Sequence, residues 1–471
     1  MECQEEQPQS ASSECVTATA QSSTAKNLKR KFQTTIASHL IKPITLLKKQ
    51  KINDLIINMI VKDLQPMSIV DDTGFKELIM GLESSYCMPS RFIITNSFLP
   101  QKYDQKKEKL KALLTKTNAI TLTTDSWTAQ HSHTSYIGYT AHFITDEWIL
   151  YSCLLRIHQY DESHTAEHLK EELINVVNEW EIFNKVFAVT SDNAPNVKAA
   201  IRLTDWGHII CFAHNINLVV QSGLALSNIA PLRKKVKTIV EYFHRSTKAN
   251  NKLMDLQKQI NVGQPPLKLK NDTVTRWNST FFMFERFLKI QEPLNATMGV
   301  LQIEIELLTE SEWLQLKEVC QVLKPFEHIT TEMSAEKNVI LSKVIIVVKG
   351  LQSAINKIKQ NVSTRNATEL IKHYEQEIVT RFGSVESNSL MAKCALLDPR
   401  FKAKVFTSQT NLTAARERLE SEVAKSISID QAAKLAHNNI DMEEQHPQVE
   451  QEENLIWKDF DKFVQTPKLG V

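Results

Sequence analysis

The chain has 471 residues, is 42% apolar and 23% charged, and carries a formal net charge of +2. These proportions are ordinary for a folded soluble protein, and the length fits two to four domains. No run of eighteen apolar residues occurs, so no membrane-spanning helix is expected. The N-terminus, MECQEEQPQSASSEC, lacks the apolar core of a signal peptide, so secretion is not expected either. Seven scattered cysteines without a CxxC pair point to a reducing compartment. They also make a structural zinc finger an unlikely expectation for this chain.

Residues 1–48 read as a disordered basic tail. The first 25 are rich in Ser, Thr, Gln and Ala, too polar to offset the entropy of ordering. From Val16 to Asn53 there is no acidic residue, while Lys26, Lys29, Arg30, Lys31, Lys42, Lys48, Lys49 and Lys51 accumulate. Such an arm suits nuclear import, phosphate contact or a solvated linker.

Residues 49–116 read as a helical, dimerisation-like domain. Leu55, Ile56, Met59 and Ile60 form one apolar face. Asp71 or Asp72 can cap a second helix carrying Phe75, Leu78, Ile79 and Leu82. A long helix to Leu114 contains Pro100, which should kink or split it.

At 117–228 the period changes to that of strands. Ile120 and Leu122 alternate with threonines up to Asp125, where the run is expected to stop. Residues 135–145 and 148–159 read as an antiparallel hairpin, 164–182 as a helix, and VFAVT (186–190) as a central strand covered on both faces. The order strand, hairpin, helix, strand matches a ribonuclease-H-like sheet. In it the first and fourth strands lie parallel and adjacent, through a right-handed crossover. That places Asp125 and Asp192 at one edge of the sheet. Cys211 and His214 share a face if their segment is helical.

Residues 229–405 read as an all-helical insertion domain. Its first part, 229–270, holds ten basic residues against two acidic ones, which raises phosphate contact beside the solvated-face reading. Trp277, Phe281, Phe282, Phe284 and Phe287 cluster as a core would. CALLDPRF (394–401) reads as a loop, and 406–471 as a charged helical or disordered tail. The fold class is therefore α/β plus all-α: a ribonuclease-H-like mixed sheet, a large helical insertion and an N-terminal helical domain.

Four ordered motifs, TTDSWT from Thr123, TSDNAPNV (190–197), CFAHNINLVV (211–220) and TRWNST (275–280), resemble the hAT transposase superfamily. More narrowly they resemble its zinc-finger BED-type derivatives, as do VKDLQPMSIVDDTGF (61–75), VLKPFEHITTEMSAEK (322–337) and ALLDPRFK (395–402). The likeness spans about residues 50–405. It implies a DDE-type catalytic core in which Asp125 and Asp192 are the first two of three metal-binding acids. It implies Mg2+ as the metal, a Cys-x-x-His element at Cys211 and His214, and a DNA-end-handling tryptophan at Trp277. Arg276, Lys234, Lys235 and Lys237 join Trp277 as expected DNA contacts. The family's third acid, a glutamate in a Ser-Glu-Arg element, is expected to be missing here, as are the BED finger and the C-terminal dimerisation region. Glu327, Glu332 and Glu336 stand as substitutes without a spacing argument.

Three functions follow as expectations. The first is a domesticated or truncated nuclear DNA-binding protein that does not cut. The second is an active Mg2+-dependent DNA transposase or nuclease whose third acid is supplied elsewhere. The third is a protein-interaction scaffold. Expected partners are DNA and either a second copy of the chain or related transposase-derived proteins, with no membrane involved.

Overall fold

The computed structural model describes residues 43–434, except 130–131, 262, 274–275, 303 and 335–338. The arm residues Lys26, Lys29, Arg30, Lys31 and Lys42, the glutamate-rich stretch 443–453, the aromatic run 455–463 and Glu336 lie outside the described residues. Two compact units divide between Leu110 and Lys111.

The first unit is helical. Helix α1 (Leu46–Lys62) starts earlier than the sequence indicated, because the Thr45 hydroxyl accepts from the Lys48 N–H. Its buried residues are Ile56, Ile57 and Ile60, while Leu55 is exposed. The expected face is therefore rotated by about one residue. Helix α2 (Thr73–Leu82) follows Asp72, whose side chain makes no cap hydrogen bond, and Leu78 and Leu82 face solvent. The Tyr86 hydroxyl donates to Asn53 Oδ1 at 2.6 Å, tying the loop after α2 to α1. Helix α3 (Arg91–Ile93) runs through a widened π turn, Ile94–Phe98, into α4 (Leu99–Lys116). The π turn ends two residues before Pro100, which has no N–H to give back to the preceding turn. The chain answers the proline with a bulge, not a break.

The second unit carries a five-stranded sheet in the order β3-β2-β1-β4-β5: β1 (Ile120–Thr128), β2 (Ser135–Ile144), β3 (Leu150–Gln159), β4 (Val186–Ser191) and β5 (Gly207–Ile210). β1 pairs antiparallel with β2 and parallel with β4. This is the ribonuclease-H-like arrangement read from the sequence. Helix α5 (Ala166–Glu179) makes the crossover, capped by Thr165, and buries Leu169, Leu173, Val176 and Val177. Two details differ. β1 does not stop at Asp125 but continues three residues, because Ser126, Trp127 and Thr128 still find partners in Ile137, Tyr136 and Ser135. β4 is not covered on both faces throughout, since Phe187 is exposed.

At the far end of the hairpin the Thr145 N–H donates to Ile149 O (3.1 Å) and the Trp148 N–H to Thr145 O (2.9 Å). This turn forces Trp148 to φ 59°, with its ring 88% exposed. A left-handed backbone costs a non-glycine residue roughly 1–2 kcal/mol, and glycine returns part of that as entropy. Trp148→Gly is therefore expected to raise the urea unfolding free energy by about 1 kcal/mol. A fall would show that the exposed ring contributes packing that outweighs the strain.

Beyond the sheet lie α6 (Pro195–Arg202), α7 (Phe212–Leu224), α8 (Ala230–Arg245), α9 (Thr247–Ile260), α10 (Asn278–Lys289), α11 (Gln291–Leu301), α12 (Glu310–Met333), α13 (Val344–Lys359) and α14 (Arg365–Phe382). Most share one apolar core running from Phe212 to Phe382. Gly223 on α7 lies against the buried Tyr374 ring of α14, where a methyl group would sit 2.2 Å from the ring. The Tyr374 hydroxyl donates to Val220 O (3.2 Å). Two more helices follow, α15 (Ser389–Leu397) and α16 (Gln409–Lys434). CALLDPRF is thus not a loop as expected: its first half is the end of α15, and Asp398 then clamps Arg400.

A two-carboxylate candidate site at the sheet

The ladder between β1 and β4 pairs Leu122 with Val189 and Thr123 with Thr190. The pairing stops two residues short of both Asp125 and Asp192. Adjacent strands lie about 4.8 Å apart, so the two carboxylates start from neighbouring backbones on the same side of the ladder. Both residues line one shallow cavity of about 20 Å³, shared with Tyr139 of β2, Leu173 of α5 and Ala200 of α6. That volume is close to what one ordered water fills.

Asp125 is exposed and stands opposite Gly138. Asp192 sits just past β4 and accepts the Ala194 N–H on Oδ1 (3.1 Å), which fixes the loop into α6. Behind it, Ser191 Oγ meets His208 Nε2 at 3.0 Å. Burial pushes the His208 imidazole below its ordinary value, and the Lys198 and Arg202 cations act the same way; Asp192 pulls in the other direction. His208 is therefore neutral at pH 7. The positive charge felt at His208 comes from Lys198 and Arg202 of α6, four residues apart on one helix face.

The carboxylates suit a hard cation that keeps most of its water, as Mg2+ does when held by one or two carboxylates. They do not by themselves make a closed site. Among the described residues, no three His, Cys, Asp or Glu side chains come together. Glu332 is bound to Lys343 at 2.6 Å, and Glu327 accepts the Thr331 hydroxyl at 3.0 Å. Neither lines the cavity. Cys211 caps the start of α7, with its N–H on Ser191 O (2.8 Å), and His214 lies in the helix's first turn. The expected shared helix face is thus only partly formed, since Cys211 precedes the helix, and among the described residues two further ligands of the zinc type are absent.

Residues 123–205 match the family model described as the ZBED1 RNase-like domain, and residues 209–322 match the ZBED1 RNase-like helical domain. Human zinc finger BED domain-containing protein 4 is 28% identical over 401 residues, covering 82% of this chain and 33% of that protein. Human zinc finger BED domain-containing protein 6 is 26% identical, covering 79% and 40%. A maize protein named "Putative AC transposase" is 26% identical, covering 72% and 43%. The chain is thus similar to BED-type, hAT-derived proteins. It spans about a third to two-fifths of the length of these relatives.

Two expected DNA contacts, Trp277 from the resemblance and Lys235 from the basic stretch, are engaged within the fold. Trp277 is 1% exposed, its ring packed against Phe281 and Phe326. In this conformation it offers no face to a base, and the packed-core reading holds. Lys235 is bound to Glu306 (2.6 Å) and Glu312 (2.9 Å). Those hydrogen bonds hold its ammonium above the ordinary value against a partial desolvation, and it is not free for phosphate. Lys234 and Arg276 are exposed and Lys237 is half-buried; among the described residues none of them has an ion-pair partner. TRWNST has a structural task that the sequence did not reveal. Ser279 and Thr280 both donate to the buried Asp272, which also holds Arg233. Lys198, Arg202 and His208 were missed altogether. Their only signal is two cations four residues apart just after the second aspartate.

Proposed function

We propose that the chain is a nuclear, transposase-derived DNA-binding protein whose described part holds a two-aspartate site and binds DNA without cutting it. The observation that carries this is the cavity at the end of the sheet that Asp125 and Asp192 both line, with the Lys198 and Arg202 cations near enough to His208 to act on its charge. A hydrated Mg2+ on the two carboxylates would bridge to a DNA phosphate. Lys234, Lys237 and Arg276 extend the positive surface on the helical part. The naming of the relatives as BED-finger and transposase proteins supports DNA as the partner. Two-metal strand cleavage needs more ligands than two carboxylates supply. A second reading, an active Mg2+-dependent transposase completed by an acid from elsewhere, is favoured by the preserved geometry of the two aspartates. Self-association through the first helical unit is supported by its exposed Leu46, Leu64, Leu82 and Phe92.

The test is DNA affinity as a function of salt. Lys234→Ala with Lys237→Ala is expected to weaken duplex binding and to flatten the log–log salt slope by about 2, roughly one per lost phosphate contact. Lys235→Ala should leave the slope unchanged and lower stability. A wild-type protein without salt-dependent DNA affinity sinks the proposal. Mg2+-dependent nicking that Asp125→Asn abolishes would establish the second reading in its place.

A further inference from the structure

The sheet ends at β5, whose far side pairs with no further strand among the described residues. The Cys211 N–H donates to Ser191 O (2.8 Å). By alternation the Gly207 and Ile209 backbone groups also turn toward β4. The N–H and C=O groups of His208 and Ile210 therefore point outward, and none of the four has a partner among the described residues. A cavity of about 130 Å³ runs along this edge. It touches His208, Ile209 and Ile210 in succession, whose side chains alternate between the sheet faces, so it follows the edge and not one face. Phe212 of α7, Phe382 of α14 and Met391 of α15 make it apolar. Asn215 of α7 lines it too, 6% exposed, with an Oδ1 that no donor reaches among the described residues. Arg381 of α14 also borders it. Glu377 holds the Arg381 Nε (2.8 Å), and the two terminal nitrogens have no hydrogen-bond partner among the described residues.

We propose that the β5 edge docks an extended peptide of another protein, which adds a strand to the sheet, seats a tyrosine ring in the cavity and carries acidic residues beside it. This docking site goes beyond DNA binding and does not depend on it. Strand addition pairs the four open backbone groups together, and the neighbouring pocket supplies side-chain selectivity. An apolar void of about 150 Å³ takes a benzene ring, so a single aromatic ring suits this one. A phenol brings, besides the ring, the hydroxyl donor that the buried Asn215 amide lacks; phenylalanine brings the ring alone. The cations at this end are Arg381 and, acting on His208, Lys198 and Arg202; the opposing carboxylates are Glu377 and Asp192. The excess is positive and favours an acidic flank. Residues 1–42 and 435–471 contain no tyrosine, so the segment comes from another chain.

The experiment uses the full chain and fluorescence anisotropy with labelled, capped pentapeptides. The reference probe is DVYVD; its companions are DVFVD, KVYVK and a DVYVD with every amide nitrogen methylated. Wild type is expected to bind DVYVD saturably. It should bind DVFVD about 10-fold more weakly, for want of one hydrogen bond to a buried group, and the methylated peptide at least as weakly, for want of its backbone donors. KVYVK should also bind more weakly than DVYVD. Asn215→Leu should erase the difference between DVYVD and DVFVD, and Arg381→Gln should narrow that between DVYVD and KVYVK. The peptide comparisons need no change to the protein, so the test stands where a variant melts early. No saturable binding of DVYVD, or equal affinity for its methylated form, overturns strand addition. Equal wild-type affinity for DVYVD and DVFVD overturns the tyrosine pocket. Neither result bears on DNA binding, which the salt titration tests by itself.

Discussion

Asp272→Ala is expected to lower the unfolding free energy by about 3–5 kcal/mol, the usual cost of breaking a buried ion pair from one side. The carboxylate is almost fully buried and accepts from Arg233 Nε (2.9 Å) and Nη2 (2.7 Å), Ser279 Oγ (3.0 Å) and Thr280 Oγ1 (2.9 Å). Its removal strands a largely enclosed guanidinium and two hydroxyls at the joint between α8 and the start of α10. Urea denaturation reads the loss. The double variant Arg233→Met with Asp272→Leu should recover much of it, because the orphaned charge is then gone as well. A single variant within about 0.5 kcal/mol of wild type would mean that water replaces the carboxylate without penalty.

Trp277→Ala is expected to cost a similar amount, about 3–5 kcal/mol, as a large ring deleted from a packed core does. Trp277→Phe should cost less. It keeps an aromatic ring against Phe281 and Phe326 and removes an indole N–H that has no partner among the described residues, a group whose burial is itself unfavourable by about 1–3 kcal/mol. The comparison decides the residue's role. If Trp277 serves packing alone, folded Trp277→Phe binds DNA with wild-type affinity. A selective loss of binding in a protein that melts normally would restore the DNA-handling assignment.

How much of this was legible in the sequence varies with the range of the interaction. The sheet was readable because its signals are local: the Ile120–Leu122 alternation, the Asp146–Glu147 turn and the five-residue VFAVT run. The pairing of β1 with β4 then followed from connection handedness. The true end of β1 was not readable, because Asp125 and Ser126 look like a stop until Ile137 and Gly138 are known to lie opposite. Lys235 looked like a phosphate contact within a ten-to-two basic stretch. Its carboxylates arrive from 71 and 77 residues away, beyond any local pattern. Trp277 was half readable, since the phenylalanines around it marked a core while the motif marked a site.

The placement of β1 has a kinetic consequence. Its antiparallel neighbour comes within twenty residues, but its parallel neighbour begins at Val186, 66 residues after Ile120. Closing that loop costs more entropy and returns contacts only once α5 has docked. The meander of β1, β2 and β3 should therefore gain amide protection first in pulse-labelled refolding, and β4 with β5 later. Asp125 would be in place early and Asp192 late, so the pair of carboxylates comes into being in a single step, when the crossover closes.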